Sequence, residues 1–300
     1  MKPFISLDWG TSSFRAYEVN AEGKVVNQAS APEGILAVKD QKFEETLESH
    51  IGGWDKSLPV VASGMITSLQ GWIECGYAEC PATASDLASK ITRHTTASGR
   101  NIHFITGLHL KSLGNLPAIK HDVIRGEETQ VFGAMASGAT HFITPGTHSK
   151  WISVLENRIV DFFTYMTGET FALYRHHSIL GRLMKDGPQD EKAFKTGLER
   201  AYSDPAGILH QLFSVRTEGL FNELPAESLP SYLSGLLVGQ EVFHAINSDN
   251  NKGHYVVLGS PSLGATYVTA LNFFGHEVKL GDPLCAIEGQ RMIAHEAGVI

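Results

Sequence analysis

The stretch FISLDWGTSSFRAYEVNAEGKVVNQAS, residues 4–30, carries three β-rich runs, 4–7, 14–19 and 24–27. Only Gly, Thr and Ser divide the first pair, and Ala-Glu-Gly the second. Connections that short cannot cross over a sheet, so the strands are predicted to form an antiparallel meander. Downstream, KFEETLESHI repeats Phe43, Leu47 and Ile51 at four-residue steps, the pattern of an amphipathic helix. Residues 58–62 read as a buried strand, Ala84, Leu87, Ala88 and Ile91 as a second helical face, and 101–106 as an alternating strand. The order is βββαβαβ.

A similar order begins again after His121. GEETQVFGAMASGA reads as helical, and HFITPGTHSKWISVLENRIVDFFTYM repeats the three-strand pattern. A shift of 136 positions (143 minus 7) lays Leu7 on Ile143, Gly10 on Gly146, Thr11 on Thr147 and Ser13 on Ser149. Matches that fall on turn residues and strand pattern together predict an internal duplication. Residues 168–247 read as mainly helical, with PAESLPSYLSG as a loop into a helix beginning near Tyr232. A strand at 255–258, a helix, a strand and a helix follow. The expected domains are 1–118 and 119–300, joined near 117–122 without a flexible linker.

Composition narrows the function classes. A chain of 300 residues suits two cores, and 42% apolar with 19% charged residues excludes disorder, collagen and coiled coil. A net charge of -8 with no long basic run gives no general attraction to nucleic acid or anionic membranes. Three cysteines make no disulfide framework, and the opening MKPFISLDWG lacks the longer apolar core of a secretory signal. A cytoplasmic location is expected, and a homodimer is left open.

The turns carry the chemistry. Gly10, Thr11, Ser12 and Ser13, and at the matching place Gly146, Thr147 and His148, form small turns whose N–H groups and hydroxyls suit phosphate oxygens. Asp8 precedes the first turn, where a carboxylate can organise Mg2+; the matching Thr144 carries no acid. In VVLGSPSLGA a third turn, with Gly259, Ser260 and Pro261, follows a strand and opens a helix, so backbone there can approach a flat ligand. No P-loop and no protein-kinase motif set is present. Transfer to a hydroxyl needs an acid beside the acceptor, and RGEETQ offers Glu127 and Glu128 at a helix start. Adjacent helical residues point about 100° apart, so one of them faces the acceptor. Glu127 is preferred and Asp122 is the reserve, while the alternative is that both glutamates only stabilise the helix dipole. Cys75 with Cys80, and His176 with His177, lack the partners of a zinc set.

The elements LDWGTSSFRAYEVN, PGTHSKW and VVLGSPSLGA resemble the two phosphate elements and the adenosine element of the superfamily of sugar kinases, actin and heat-shock chaperones. ASGMITSLQGW, CPA, RGEETQVFGA, MTGETFAL, HSILGRLM, LFSVR, YLSGLLVG and LGSPSL, in that order, resemble the 2-dehydro-3-deoxygalactonokinase family. The resemblance implies an α/β protein of two ribonuclease-H-like (actin-like ATPase) lobes with an interdomain cleft. It implies ATP and Mg2+ as cofactors and phosphorylation of the 6-hydroxyl of 2-dehydro-3-deoxy-D-galactonate. By position, Asp8 would organise Mg2+ and the first two turns would bind phosphates, with Gly259, Ser260 and Pro261 beside adenosine. RGEETQVFG stands where glycerol-kinase-like relatives carry Gly-Asp-Gln with the catalytic aspartate, in a register open by one residue. Ser63, Gly64 and Met65 resemble the sugar-binding loop. Arg125 and Lys150 are the cations expected near the substrate carboxylate, each with a surface role as its alternative. Trp72 either covers the sugar or caps the core. The competing functions are another sugar or sugar-acid kinase, or a non-catalytic nucleotide sensor.

Overall fold

A computed structural model describes residues 2–111, 121–204, 207–248 and 253–300. Contacts group them into two compact units, Met1–Gly138 with Ile152–Phe162 and Asp282–Ile300, and Ala139–Trp151 with Phe163–Gly281. The expected boundary residues 118 and 119 lie outside the described residues. Because 121–138 group with the first unit, Asp8, Glu127 and Glu128 belong to one unit, whereas a division at 118/119 separates them.

In the first unit β1 (Phe4–Trp9), β2 (Phe14–Val19) and β3 (Val25–Ala31) form the predicted antiparallel meander. The helix α1 (Phe43–Ile51) buries Phe43, Leu47 and Ile51, the face that the spacing marks. β4 (Val60–Ser63) runs parallel to β1 and is wholly buried, as a central parallel strand must be. β5 (Tyr77–Glu79), α2 (Ala84–Ala88), β6 (Thr92–Thr95), β7 (Asn101–Phe104), β8 (Gly107–Lys111), β9 (His121–Ile124) and α3 (Glu127–Ala134) follow. The main sheet has the order β3-β2-β1-β4-β7-β6, and β5-β8-β9 form a small separate sheet. Trp9 lies at the centre of the core, edge-on to Phe14 and Phe43.

The second sheet is built from β10 (His141–Thr144), β11 (Ser149–Leu155), β12 (Arg158–Tyr165), β13 (Tyr255–Val257) and β14 (Val278–Leu280), in the order β12-β11-β10-β13-β14. Its three-strand opening and parallel fourth and fifth strands repeat β3-β2-β1-β4-β7, so the duplication read from the turns is present in the topology. Leu7 pairs with Ala62 and Ile143 with Val257, each on the fourth strand of its own sheet. Between β12 and β13 lie α4 (Thr167–His177), α5 (Glu191–Ser203), α6 (Ile208–Leu212), α7 (Ser214–Leu220) and α8 (Leu229–Ser248). The α8 helix starts at Leu229 rather than near Tyr232, because Pro230 falls in its first turn, where the missing N–H costs nothing. α9 (Pro261–Phe273) and α10 (Cys285–Glu296) complete the described elements, with α10 packed on α3 in the first unit. Among the described residues no helix is long and apolar enough to cross a membrane.

Candidate active site

Parallel strands β1 and β4 end side by side, with Asp8 opposite Ser63 in the register. The residue just after β4, Gly64, has φ +92°, and a Cβ there would lie 2.9 Å from Trp9 O and 3.2 Å from Asp8 Oδ1. Gly126, with φ +109°, sits so close that its own Cβ would be 3.1 Å from Gly64 Cα. Two glycines in the left-handed region thus let the backbone after β4 and the start of α3 meet beside Asp8. Met65 opens a short 3-10 turn directly after them.

Asp8 is 24% exposed, and its Oδ2 lies 3.4 Å from Arg15 Nη1. Burial raises its pKa, the Arg15 guanidinium offsets part of that rise, and the negative charge of Glu127 adds to it. The two acids that the sequence left unresolved differ sharply in three dimensions. Glu128 is fully buried and turns back on its own helix start, its two oxygens accepting from Gly126 N at 2.9 and 2.7 Å. Burial, with Glu127 alongside, pushes the Glu128 carboxyl up to about 8. Glu127 is half-buried, and Oε2 accepts from Arg125 N at 2.9 Å. Asp122 lies back in β9, opposite Leu110 in the small sheet.

Arg125 is held by protein acceptors. Its Nη1 donates to Thr67 O at 2.6 Å and Thr67 Oγ1 at 2.7 Å, Nη2 donates to Gly76 O at 2.8 Å, and the guanidinium stacks 4.3 Å from the Tyr77 ring centre. It fastens the loop after Gly64. Trp72 packs on Phe43, His94 and Phe104, which is the core-capping alternative.

The turn of Gly10 to Ser13, expected to bind phosphate, is held from one side. Gly10 O and Thr11 O accept from Ile35 N and Leu36 N, and Gly34 approaches so closely that its Cβ would lie 2.1 Å from Thr11 O. Gly10 N donates to Ser13 O at 2.9 Å, and Thr11 and Ser12 are left exposed.

In the second unit the matching turn is held in the same way. Thr147 O accepts from Glu169 N at 2.9 Å, and the Gly168 backbone reaches Gly146 so closely that a Cβ would lie 2.3 Å from its oxygen. His148 Nε2 is 2.6 Å from Glu169 Oε2, and the buried Lys150 donates from Nζ to His148 O at 2.9 Å. Lys150 therefore sits under this turn, in the unit that does not hold Arg125. Gly259, built with a Cβ, would meet Pro145 Cδ at 3.7 Å, so the turn expected beside adenosine lies against the same segment. Ser260 is the N-cap of α9, and Pro261 occupies its first turn. A cavity of about 330 Å³ opens here, lined by Gly146, Thr147, Phe171, Val238 and Leu263 among others.

Beneath that cavity lies a network that sequence reasoning missed. Glu241 on α8 accepts from Trp151 Nε1 at 2.8 Å, Tyr267 Oη at 2.7 Å and Ser149 Oγ at 3.1 Å. Burial raises its pKa, while these donors and Thr167 pull the other way. Trp151 and Ser149 lie 90 and 92 residues from Glu241 in sequence and Tyr267 lies 26, so no local spacing signals the network. Among the described residues no three His, Cys, Asp or Glu side chains group to hold a metal, and the three cysteines are free thiols. Burial pushes Cys80 up to about 12, as for an inert core thiol.

Two sheets that share one order over five strands, each with a short Gly-Thr turn between its first two strands in sequence, define an actin-like ATPase fold of the kind that sugar kinases use. A family model for 2-keto-3-deoxy-galactonokinase matches residues 8–293, and the chain belongs to that family. The 2-dehydro-3-deoxygalactonokinase of Escherichia coli (strain K12) is 33% identical over 295 residues, covering 97% of both chains. A protein of Rhizobium meliloti (strain 1021), provisionally given the same enzyme name, is 33% identical over 288 residues, 93% of this chain and 92% of its own. A crystal structure from Sinorhizobium meliloti, also provisionally so named, superposes with a TM-score of 0.88 at 32% identity over 97% of this chain and 98% of that one. Component A of the (R)-2-hydroxyglutaryl-CoA dehydratase of Acidaminococcus fermentans, at 11% identity and a TM-score of 0.52 over 98% of this chain and 96% of its own, shares the fold alone.

Proposed function

We propose that this kinase transfers the γ-phosphoryl group of ATP to the 6-hydroxyl of 2-dehydro-3-deoxy-D-galactonate, within galactonate breakdown in the cytoplasm. The observation that carries the reading is the Gly64–Gly126 backbone contact, which abuts Asp8 and brings Glu127, the residue after Gly126, near enough for its charge to raise the Asp8 pKa. A nucleotide sensor has no use for the second acid.

Glu127 accepts the proton of the 6-hydroxyl as its oxygen bonds to phosphorus, and the electron pair of the broken P–O bond leaves with ADP. Glu128, buried and turned onto Gly126, holds the helix start and takes no part in proton transfer. The donor chemistry fits Mg2+, which needs only one or two carboxylates beside substrate phosphates and water, and Asp8 is one such carboxylate, partly open at the end of β1. Bound there, Mg2+ would neutralise charge on the transferring phosphates. The turn of Gly10, Thr11, Ser12 and Ser13 suits phosphate oxygens, and so, taken by itself, does the turn of Gly146, Thr147 and His148. The ammonium of Lys150 beneath the second turn adds a fixed positive charge for them. The apolar wall of Phe171, Val238 and Leu263 suits adenine, with Gly259, Ser260 and Pro261 at its edge. Gly64 and Met65 contact the sugar acid, the buried Ser63 supports that loop from within rather than touching the ligand, and Arg125 fixes the loop shape.

The test is ADP release from Mg-ATP with the galactonate acid, its gluconate epimer, neutral hexoses and polyols, each against a no-acceptor blank. Turnover selective for the galactonate acid is expected. Selectivity for another acceptor would replace the substrate while keeping the chemistry, and ATP binding without any turnover would favour the sensor.

A further inference from the structure

We propose that Gln290, on the last helix of the chain, is a positioning residue for phosphoryl transfer, holding the ends of β1 and β4 and the start of α3 in one register. The proposal rests on the functional reading above and adds to it a residue with no place among the turns and acids.

The placement begins with two glycines. A Cβ on Gly133 would lie 1.8 Å from Cys285 O, and one on Gly289 would lie 1.8 Å from Thr129 O. Backbone therefore touches backbone between α3 and α10, and the contact fixes the height at which the two helices meet. The next residue, Gln290, is fully buried. An amide carried out of water is costly unless it is hydrogen-bonded, so its partners matter. Nε2 donates to Leu7 O at 2.9 Å and to Ser63 Oγ at 2.8 Å. Leu7 O can only accept, which fixes the amide orientation. Oε1 is buried with no partner among the described residues, a cost the two donations must outweigh.

Each partner stands one residue before a component of the candidate site. Leu7 precedes Asp8 and Ser63 precedes Gly64. Ser63 Oγ, having accepted from Gln290, lies 3.4 Å from Thr129 Oγ1, which donates to Gly126 O at 2.7 Å, one residue before Glu127. The donors run in one direction, from amide to Ser63 to Thr129 to Gly126, and every hydroxyl both accepts and donates. Such a chain strengthens its own links in a low-dielectric interior. Its geometric consequence is that Asp8, the sugar loop and Glu127 share one support.

The experiment compares wild type with Gln290→Met, which keeps length and loses both donors, using whichever acceptor the wild type phosphorylates. We expect kcat per folded molecule to fall about tenfold or more with the ATP KM within about threefold, since the nucleotide pocket belongs to the other unit. Amide hydrogen exchange, which needs no acceptor, should quicken about tenfold in peptides covering 63–65 and 125–129 and stay unchanged in the second unit. This second readout separates failure of the relay from failure of the substrate assignment. If Gln290→Met does not fold, Gln290→Glu takes its place. A protonated carboxyl supplies one O–H to the relay and a carboxylate none, so its activity relative to wild type should fall as pH rises. Unchanged exchange in both segments, kcat within about twofold of wild type, or a pH-independent activity ratio for Gln290→Glu would each overturn the proposal.

Discussion

Glu128→Gln should make the protein less stable in acid and more stable in alkali than wild type, and the crossover follows from the site. Folding raises the Glu128 carboxyl from 4.5 to about 8, chiefly by burial and then by Glu127. The folded chain therefore binds this proton more tightly than the unfolded chain. The associated stability is fully present below about 4.5 and is lost as pH rises through about 8. At about 1.4 kcal/mol per pH unit that interval is worth roughly 5 kcal/mol as a ceiling. Glutamine cannot ionise, so the variant escapes the loss. Its amide oxygen keeps one of the two bonds from Gly126 N, at a pH-independent cost of about 1 kcal/mol. Urea unfolding followed by tryptophan fluorescence at pH 5 to 9 measures the difference, with Trp9, Trp54 and Trp72 reporting on the first unit. Wild type is expected to lead slightly near pH 5 and to fall behind by several kcal/mol near pH 9, while turnover stays within about tenfold. Parallel pH curves for the two proteins would refute the reasoning, because they would mean that Glu128 ionises as freely folded as unfolded.

Asp8→Asn should abolish turnover and leave the melting temperature equal or higher, since burial and Glu127 already oppose its charge and the Arg15 pair is partly solvated; near-normal turnover would remove Asp8 from the metal site. Glu127→Gln should lower kcat by about 10²- to 10⁴-fold with ATP affinity little changed. If Glu128→Gln is the damaging substitution, the base has been assigned one residue too early. Glu241→Leu strands the buried donors of Trp151, Tyr267 and Ser149, so it should cost about 3 kcal/mol or more and weaken ATP binding, as read by thermal melting with and without nucleotide. An unaffected nucleotide response would separate this network from the second phosphate turn.

Periodicity and turn chemistry carried much of the fold. The meander, α1 and β4 announce themselves through burial that repeats along short segments, and the duplication through Gly-Thr turns that recur at matching places in the strand pattern. β6, with the sequence TRHT, has no buried residue, so no apolar signal marks it. The three-residue β5 is too short for its alternation to stand out. At the candidate site, Asp8 and the two glutamates are legible because acids at a strand end and a helix start are chemically conspicuous. Choosing between Glu127 and Glu128 was not, since both spacings are equivalent until Gly126 turns its N–H onto one of them. Arg125 illustrates the same limit: its charge is visible in sequence, but the carbonyls of Thr67 and Gly76 that hold it come from a distant loop. Gln290 reaches Leu7 across 283 residues, and only the folded chain reveals that contact.

The position of the transferred phosphate distinguishes this kinase from every alternative function. Wild-type protein incubated with Mg-ATP and 2-dehydro-3-deoxy-D-galactonate, with the product examined by phosphorus-detected NMR, should yield one phosphate ester, coupled to the protons on C6, in step with ADP. An ester on another oxygen, or ADP accompanied only by inorganic phosphate, would contradict transfer to the 6-hydroxyl.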